Sequence, residues 1–332
     1  MPFAINTAYT LPDVLRTRAP NGQHMSAVDV LSGKYPFLEE MYFTEANDTT
    51  SHEFLRTTSE PSGSLVRLNE GAPFSAANVV PVREQMARLE ANAQIDERIL
   101  VKAPDPVRYR REREAMHFRG MIKQYHNLVF KGKVADDARG IDGLETRFGT
   151  LVADSVVSNM ATPSGTTLSS IWLIKHGPEG FFGFYPKGST AGIKEEDWGR
   201  ETAYDRDGNP FKVLRTHWSW EFGLGVADLR SVKRLCNITL SGDNSFFEDS
   251  TKVQKGEYAL IDLVESMPEG STDGAAFYCG QKMMAQFRKR LNDKSNVNVT
   301  MDTVWGRPML HFMGVPIIRV ETLTATESAV NS

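Results

Sequence analysis

"VREQMARLEANAQIDERIL" occupies residues 82–100, and two physical signals in it disagree. Its residues are good helix formers by intrinsic propensity. Its apolar positions alternate, however: Ala87, Leu89, Ala91, Ala93 and Ile95 are separated by Arg88, Glu90, Asn92, Gln94 and Asp96. Side chains change face with period two only in a strand; a helix would scatter these five around its circumference. The period outweighs the propensity, and the spacing predicts a strand with one buried face.

Upstream lies "TSHEFLRTTSEPSGSLVRLNEGAPFSAANVV", residues 50–80, with strand-like ends and a middle rich in Gly, Pro, Ser and Asn. Together with the strand after it, this reads as a long two-stranded arm over residues 50–98. An isolated hairpin is only marginally stable in water, and a loop this long is uncommon in a compact domain unless it has a function. The arm therefore implies a partner surface. The first fifty residues hold two weak helical patches, "LPDVLRTR" and "HMSAVDVLSGKYPFLEEMYF", joined by an "APNGQ" turn. They bury too little to be a domain and read as an arm packed on something else.

Downstream, "PDPVRYRREREAMHFRGMIKQYHNLVFKG" reads as one long helix. Pro104 and Pro106 stand at its start, where proline is tolerated. Ala115, Phe118, Ile122, Tyr125 and Val129 recur at spacings of three and four, and Gly132 is a stop signal. Beyond it strands and helices alternate. "SSIWLIKHG" and "FFGFYPK" read as neighbouring strands. "RETAY" and "FKVLRTHWSWEF" flank the hairpin turn in "DRDGNP", with Leu214, Trp218, Trp220, Phe222 and Leu224 on one face. "GEYALIDLVESM" and "QKMMAQFRKRLND" are helices, the second turning Met283, Met284, Phe287 and Leu291 inward. "AAFYCG", "NVNVTM", "MLHFM" and "PIIRVETL" are strands. The class is α+β.

Composition narrows the function. The net charge of −4 argues against a chain whose main task is gripping nucleic acid. Two cysteines, Cys236 and Cys279, far apart and outside any CxxC, exclude a disulfide framework and suit a reducing compartment. No stretch reaches the roughly 18 consecutive apolar residues of a membrane span, and no signal peptide opens the chain.

Chemical motifs fail one after another. "GFFGFYPKGSTAG", residues 180–192, looks like a phosphate loop, but the order Lys187-Gly188-Ser189-Thr190 is not GxxxxGK[ST], and no amphipathic helix follows. It reads as a tight turn after a buried aromatic strand. "DRDGN" starts like a calcium loop, yet its sixth position is Pro210 and its twelfth Thr216. The seven histidines form no HxxxH pair; His117 and His126 lie nine apart, on opposite faces of one helix. No GxSxG elbow occurs. "RYRRERE" mixes both signs and reads as a solvated or salt-bridged face. No catalytic, cofactor-binding or metal-ligating residue is predicted.

The second half carries a resemblance. "SIWLIKHGPEGFFGFYPKGSTAGIKEEDWGRET", "RTHWSWEFGLGVADLRSVKRLCNI" and "NVNVTMDTVWGRPMLHFMGVPIIRVETL", with "FKG" and "IDGLETRF" after the long helix, resemble runs in the major capsid proteins of tailed bacteriophages. The group is that of the epsilon-fifteen kind, from short-tailed phages and prophages. The resemblance covers most of residues 105–326 and is weakest in the arm region.

It implies the Johnson-type capsid fold. Residues 1–49 would be the N-terminal arm and 50–80 the extended loop. Residues 81–150 and about 189–225 would form the peripheral domain, with 105–131 its spine helix. Residues 151–188 and 226–326 would form the axial domain, and 327–332 a C-terminal tail. The implied function is a non-enzymatic major capsid protein, assembling in the bacterial host cytoplasm through homo-pentamers and homo-hexamers into the icosahedral head of the virion. That head would enclose double-stranded DNA without sequence-specific binding. The implied partners are further copies of itself, portal and scaffolding proteins and a decoration protein, with no cofactor and no membrane. Arg56, Glu60, Arg67 and Glu70, charged and near the loop's turn, are candidate contacts to a neighbour or simply solvated charges. The short stretch before the arm suggests a separate scaffolding protein and an uncleaved chain. An encapsulin-like compartment shell and a minor virion component are the alternatives.

Overall fold

The computed structural model describes residues 36–59, 61–102, 105–151, 156–158, 167–204, 207–240, 250–292, 298–304 and 307–331. The "LPDVLRTR" patch and most of the patch after it lie outside the described residues. In chain order the elements are α1 (Pro36–Glu40), β1 (Tyr42–Glu45), β2 (Ser51–Ser59), β3 (Asn78–Asp96), α2 (Glu97–Lys102), α3 (Pro106–Lys131) and α4 (Leu144–Arg147). Then come β4 (Val156–Ser158), β5 (Ser169–Lys175), β6 (Phe181–Tyr185), β7 (Lys194–Tyr204), β8 (Pro210–Val226) and β9 (Val232–Ile238). The chain closes with α5 (Ser250–Glu265), β10 (Ala275–Cys279), α6 (Gln281–Leu291), β11 (Val299–Val304), β12 (Arg307–Phe312) and β13 (Val315–Arg319).

The architecture is mixed α/β, with two sheets and the long helix α3 between them. The alternating stretch is the strand its period predicts. Ala87, Leu89, Ala93 and Ile95 of β3 are buried, and Met86–Asp96 pairs antiparallel with Gly223–Val213 of β8. The expectation of a two-stranded arm reaching residue 98 is corrected here. Only the first part of β3 pairs with β2; the rest is an interior strand of the first sheet, which runs β1-β6-β8-β3-β2 with β7 also on β8. The reason is the same alternation, since a strand with a continuous apolar face is stabilised by a covering layer, and α3 supplies it. Tyr125 of α3 stacks on Trp220 at 4.2 Å and meets Phe222 edge-on. Phe118, Ile122 and Val129 of the predicted stripe are buried beside it.

The opposite face of β8 carries Gly223 and Gly225 for a steric reason. A Cβ on Gly223 would stand 2.2 Å from the Phe184 ring, and one on Gly225 2.4 Å from the Phe182 ring. The two glycines let β6's aromatic rings lie flat on β8.

The second sheet runs β11-β12-β13-β10-β5-β9-β4. Period two distributes its strands between two cores. Trp172 and Ile174 of β5, with Ala276 and Tyr278 of β10, join the α3 core. Ile171, Leu173, Ala275, Phe277 and Cys279 face the other way, onto Leu260 and Leu263 of α5 and Met283 and Phe287 of α6. The strands "SSIWLIKHG" and "FFGFYPK" are not neighbours, contrary to expectation. β5 belongs to the second sheet and β6 to the first, and a bridge from His176 to Phe181 joins the segments. A turn at Gly177 and Gly180 redirects the chain between the two layers.

Two largely buried arginines are held by networks of polar partners. Arg110 donates to Glu114 (2.7 Å), Asp197 (2.8 Å) and Thr216 (2.9 Å), so "RYRRERE" is in part a salt-bridged face tying α3 to β7 and β8. Deeper lies Arg234 of β9, which donates to Glu327 (3.0 Å), Ser170 Oγ (3.1 Å) and the Phe148 carbonyl (2.8 Å), with its guanidinium over the Trp172 ring. Asn237 exchanges two hydrogen bonds with the Val330 backbone, so the C-terminal residues are clasped to the sheet.

Glu145 of α4 belongs to this cluster, and its Oε1 is buried without a hydrogen-bond partner. Burial and the Glu327 carboxylate push it up to about 7, against the pull of Arg234 and Lys131. The folded chain thus holds this proton more tightly than the unfolded chain, and stability falls as pH rises from about 4.5 towards 7. Glu145→Gln removes that loss. The variant is expected to match the parent near pH 4 and exceed it by on the order of 2 kcal/mol at pH 8. Urea unfolding at the two pH values checks this; an equal parent–variant gap at both would refute it.

Candidate assembly surface

β3 changes partners between two adjacent residues: Gln85 pairs with Ser51 of β2, and Met86 with Gly223 of β8. At this handover the β2–β3 hairpin leaves the body, and side chains clamp it. Arg147 of α4 donates to both carboxylate oxygens of Glu84, at 2.5 and 2.8 Å, with both side chains largely buried. Gln85 donates to the Gly140 carbonyl at 2.6 Å, Arg83 to Ser51 at 3.0 Å, and Arg56 to the Val226 carbonyl at 2.6 Å. A bidentate pair fixes orientation as well as distance, so the hairpin leaves in a set direction.

Beyond the paired strands, residues 61–77 are exposed throughout. Ser75 donates to the Ser62 carbonyl at 3.2 Å, holding the two sides of the loop together. The tip is a turn over Arg67-Leu68-Asn69-Glu70. Glu70 N donates to Arg67 O and Arg67 N to Glu70 Oε2, each at 3.0 Å. Asn69 has φ +68°, a left-handed conformation that asparagine tolerates. On this loop Leu65, Leu68 and Phe74 are 105%, 98% and 106% exposed. Single exposed apolar residues are ordinary, but three large ones standing clear of the body on a narrow arm mark a surface that another molecule covers.

The four candidate contact residues separate. Arg67 and Glu70 come together at the tip, where Glu70's carboxylate is used by its own turn. Arg56 points inward, half-buried against the Val226 and Ala227 carbonyls, and Phe54 lies under its guanidinium. Glu60 lies outside the described residues. Charge drew attention to these four, while the more telling residues are Leu65, Leu68 and Phe74. Their signal in the sequence is three large apolar residues set without periodicity in a Gly/Pro/Ser-rich stretch.

The stretch that imitates a phosphate loop is a turn. Gly188 has φ +76°, and its N–H already donates to the Glu45 carboxylate at 2.7 Å. A bound phosphate would have to displace that carboxylate. The histidines are packed rather than poised. His176 contacts the Tyr278 hydroxyl at 2.7 Å, and burial takes it down to about 3; His126 falls to about 4 for the same reason. His217 contacts Asn92 at 2.8 Å under the Trp198 ring.

A family model described as "Major capsid protein GP7" matches residues 19–331. No curated protein sequence matches the chain. The cryo-EM structure of bacteriophage Epsilon15 is similar, with 23% identity, 87% of this chain and 88% of that chain covered, and a TM-score of 0.61. The bacteriophage JBD30 capsid aligns at 7% identity over 87% of this chain and 90% of that one, TM-score 0.48. The SrpI encapsulin of Synechococcus elongatus aligns at 11% identity over 71% and 94%, TM-score 0.42.

Proposed function

Since this chain belongs to the major capsid protein GP7 family, and so builds the head of a tailed phage, we propose that it does so through rings of five and six copies in which the β2–β3 arm of each lies across the next. The protein is a structural component of the virion, not an enzyme. The observation that carries the ring proposal is the arm itself: rigidly clamped at its base, apolar at its tip, and touching nothing of its own chain there. An interface joining two different patches of identical chains is heterologous, and such interfaces close into rings.

The domain division follows the same reading. Residues 1–49 serve as the N-terminal arm, 50–80 as the extended loop, and the first sheet with α3 as the peripheral domain and its spine. The second sheet with α5 and α6 serves as the axial domain. The pairing of β6 with β8 supports drawing residues 181–188 into the peripheral part. The buried Glu327 supports counting the C-terminal residues with the axial part. Portal, scaffolding and decoration proteins are the further partners, and double-stranded DNA the enclosed cargo.

Electron microscopy of the purified chain, expressed alone and with its neighbouring genes, tests the assembly. Closed shells or rings of five and six are expected; a stable monomer under both conditions overturns the proposal. The shell is also proposed to be non-covalent. No lysine occurs between Lys34 and Lys102, so the extended loop has no amine with which to form an isopeptide cross-link. Mature particles boiled in denaturant are expected to run as a single band at the chain mass of 37.1 kDa. A ladder of covalent multimers would contradict this.

A further inference from the structure

The tip needs a receiving surface, and the structure offers one at the foot of the arm. A groove of about 970 Å³ opens between β1, β2 and the segment after β8, lined among others by Tyr42, Phe54, Leu55, Phe182 and Glu179. Tyr42 is 43% and Leu55 70% exposed, so apolar surface is open to water here as well as at the tip. Its aromatic floor is built: Phe54 meets Phe182 edge-on at 5.6 Å and stacks with His52.

We propose that this groove receives the arm tip of a second copy of the chain, Leu68 and its neighbours Leu65 and Phe74 filling it while Arg67 meets Glu179. This rests on the arm-across-neighbour reading and names the surface the arm binds.

Three observations carry it. The first is reach. Leu68 is thirteen positions beyond Leu55, about 40 Å along an extended strand. The register of β2 with β3 and the Ser75–Ser62 contact keep the loop narrow, so a tip cannot return to its own groove. Only the tip of another copy can fill it. The second is charge. Among the described residues neither the Arg67 guanidinium nor the exposed Glu179 carboxylate has an ion-pair partner, one standing on the tip and the other on the groove's rim. The third is chemistry: an apolar knob and the exposed Tyr42 and Leu55 of a groove with an aromatic floor and a charged rim lose their water-facing surface in one contact.

Cysteine pairing tests it directly, because the native Cys236 and Cys279 are both buried and stay out of the reaction. Leu68→Cys chains co-assembled with Leu55→Cys chains and oxidised are expected to give a two-chain disulfide product. Its yield should be at least fivefold above that of Leu68→Cys with Met116→Cys, an exposed control on α3. Shells with no product above the control overturn the groove assignment and leave the capsid reading intact. A chain carrying both Leu68→Cys and Leu55→Cys that closes on itself also overturns it. Failure of the parent chain to form shells strikes at the assembly reading instead. A charge exchange at two exposed positions guards against misfolding: Arg67→Glu and Glu179→Arg should each slow assembly about tenfold, and together restore it. A double variant no faster than the singles is the second way the proposal fails.

Discussion

Replacing Ser62–Ser75 with a short Gly-containing turn is expected to leave a folded chain that forms no shells. The two outcomes separate because the loop contributes to different free energies. Every residue in it is exposed in the single chain, so removing it deletes no core contact. Ser62 and Ser75 already lie within a hydrogen bond of each other, so a short turn closes the gap without strain. The change in folding stability is expected to stay within about 1 kcal/mol, the range for surface and loop changes. Assembly loses much more. Covering Leu65, Leu68 and Phe74 is worth roughly 1.5–3 kcal/mol each, so their loss costs on the order of 5 kcal/mol per copy. That is over a thousandfold in the association constant of each contact, repeated around every ring. Leu65→Ser, Leu68→Ser and Phe74→Ser together keep the loop's length and should reproduce most of the defect. Sedimentation of the assembled fraction, beside circular dichroism of the monomer, reads both effects. Normal shells from the shortened chain would make the tip dispensable and remove the main support for the arm's role.

How far the sequence discloses this depends on the range of the interaction. β3 is legible because its alternation is local and strict, and α3 because Phe118, Ile122, Tyr125 and Val129 repeat at helical spacing. Where β3 passes from β2 to β8 is not legible, since that is set by which strand covers which edge. The separation of β5 from β6 is hidden for a like reason: both read as apolar runs, and only the turn at Gly177–Gly180 assigns them to different layers. The glycines of "WEFGLGV" carry no signal of their role in sequence, because the Phe182 and Phe184 rings they clear lie on another strand. Arg56 shows the limit at the assembly surface, because charge alone does not distinguish a side chain that bonds its own backbone from one that faces a neighbour. Leu65, Leu68 and Phe74 escape a reading of the sequence, because without the exposed loop three large apolar residues could equally belong to a core.

Arg234→Ala is expected to be the most damaging single substitution in the second sheet. Its side chain is 3% exposed and that of Glu327 5% exposed. Removing the cation leaves the Glu327 carboxylate buried beside Glu145 without its paired cation, and strands the Phe148 carbonyl. Breaking one side of a buried pair costs about 3–5 kcal/mol, a large share of the roughly 5–15 kcal/mol that holds a typical domain. Glu327→Ala should cost a similar amount by orphaning the arginine instead. The two losses are not additive, because each single change already destroys the pair; the double variant should be no less stable than either single one. Replacing both by methionine should recover part of the loss, since it removes two desolvated charges along with their attraction. Measured on the shortened-loop monomer, these values are free of any contribution from assembly. Additive losses would mean that Arg234 and Glu327 act separately.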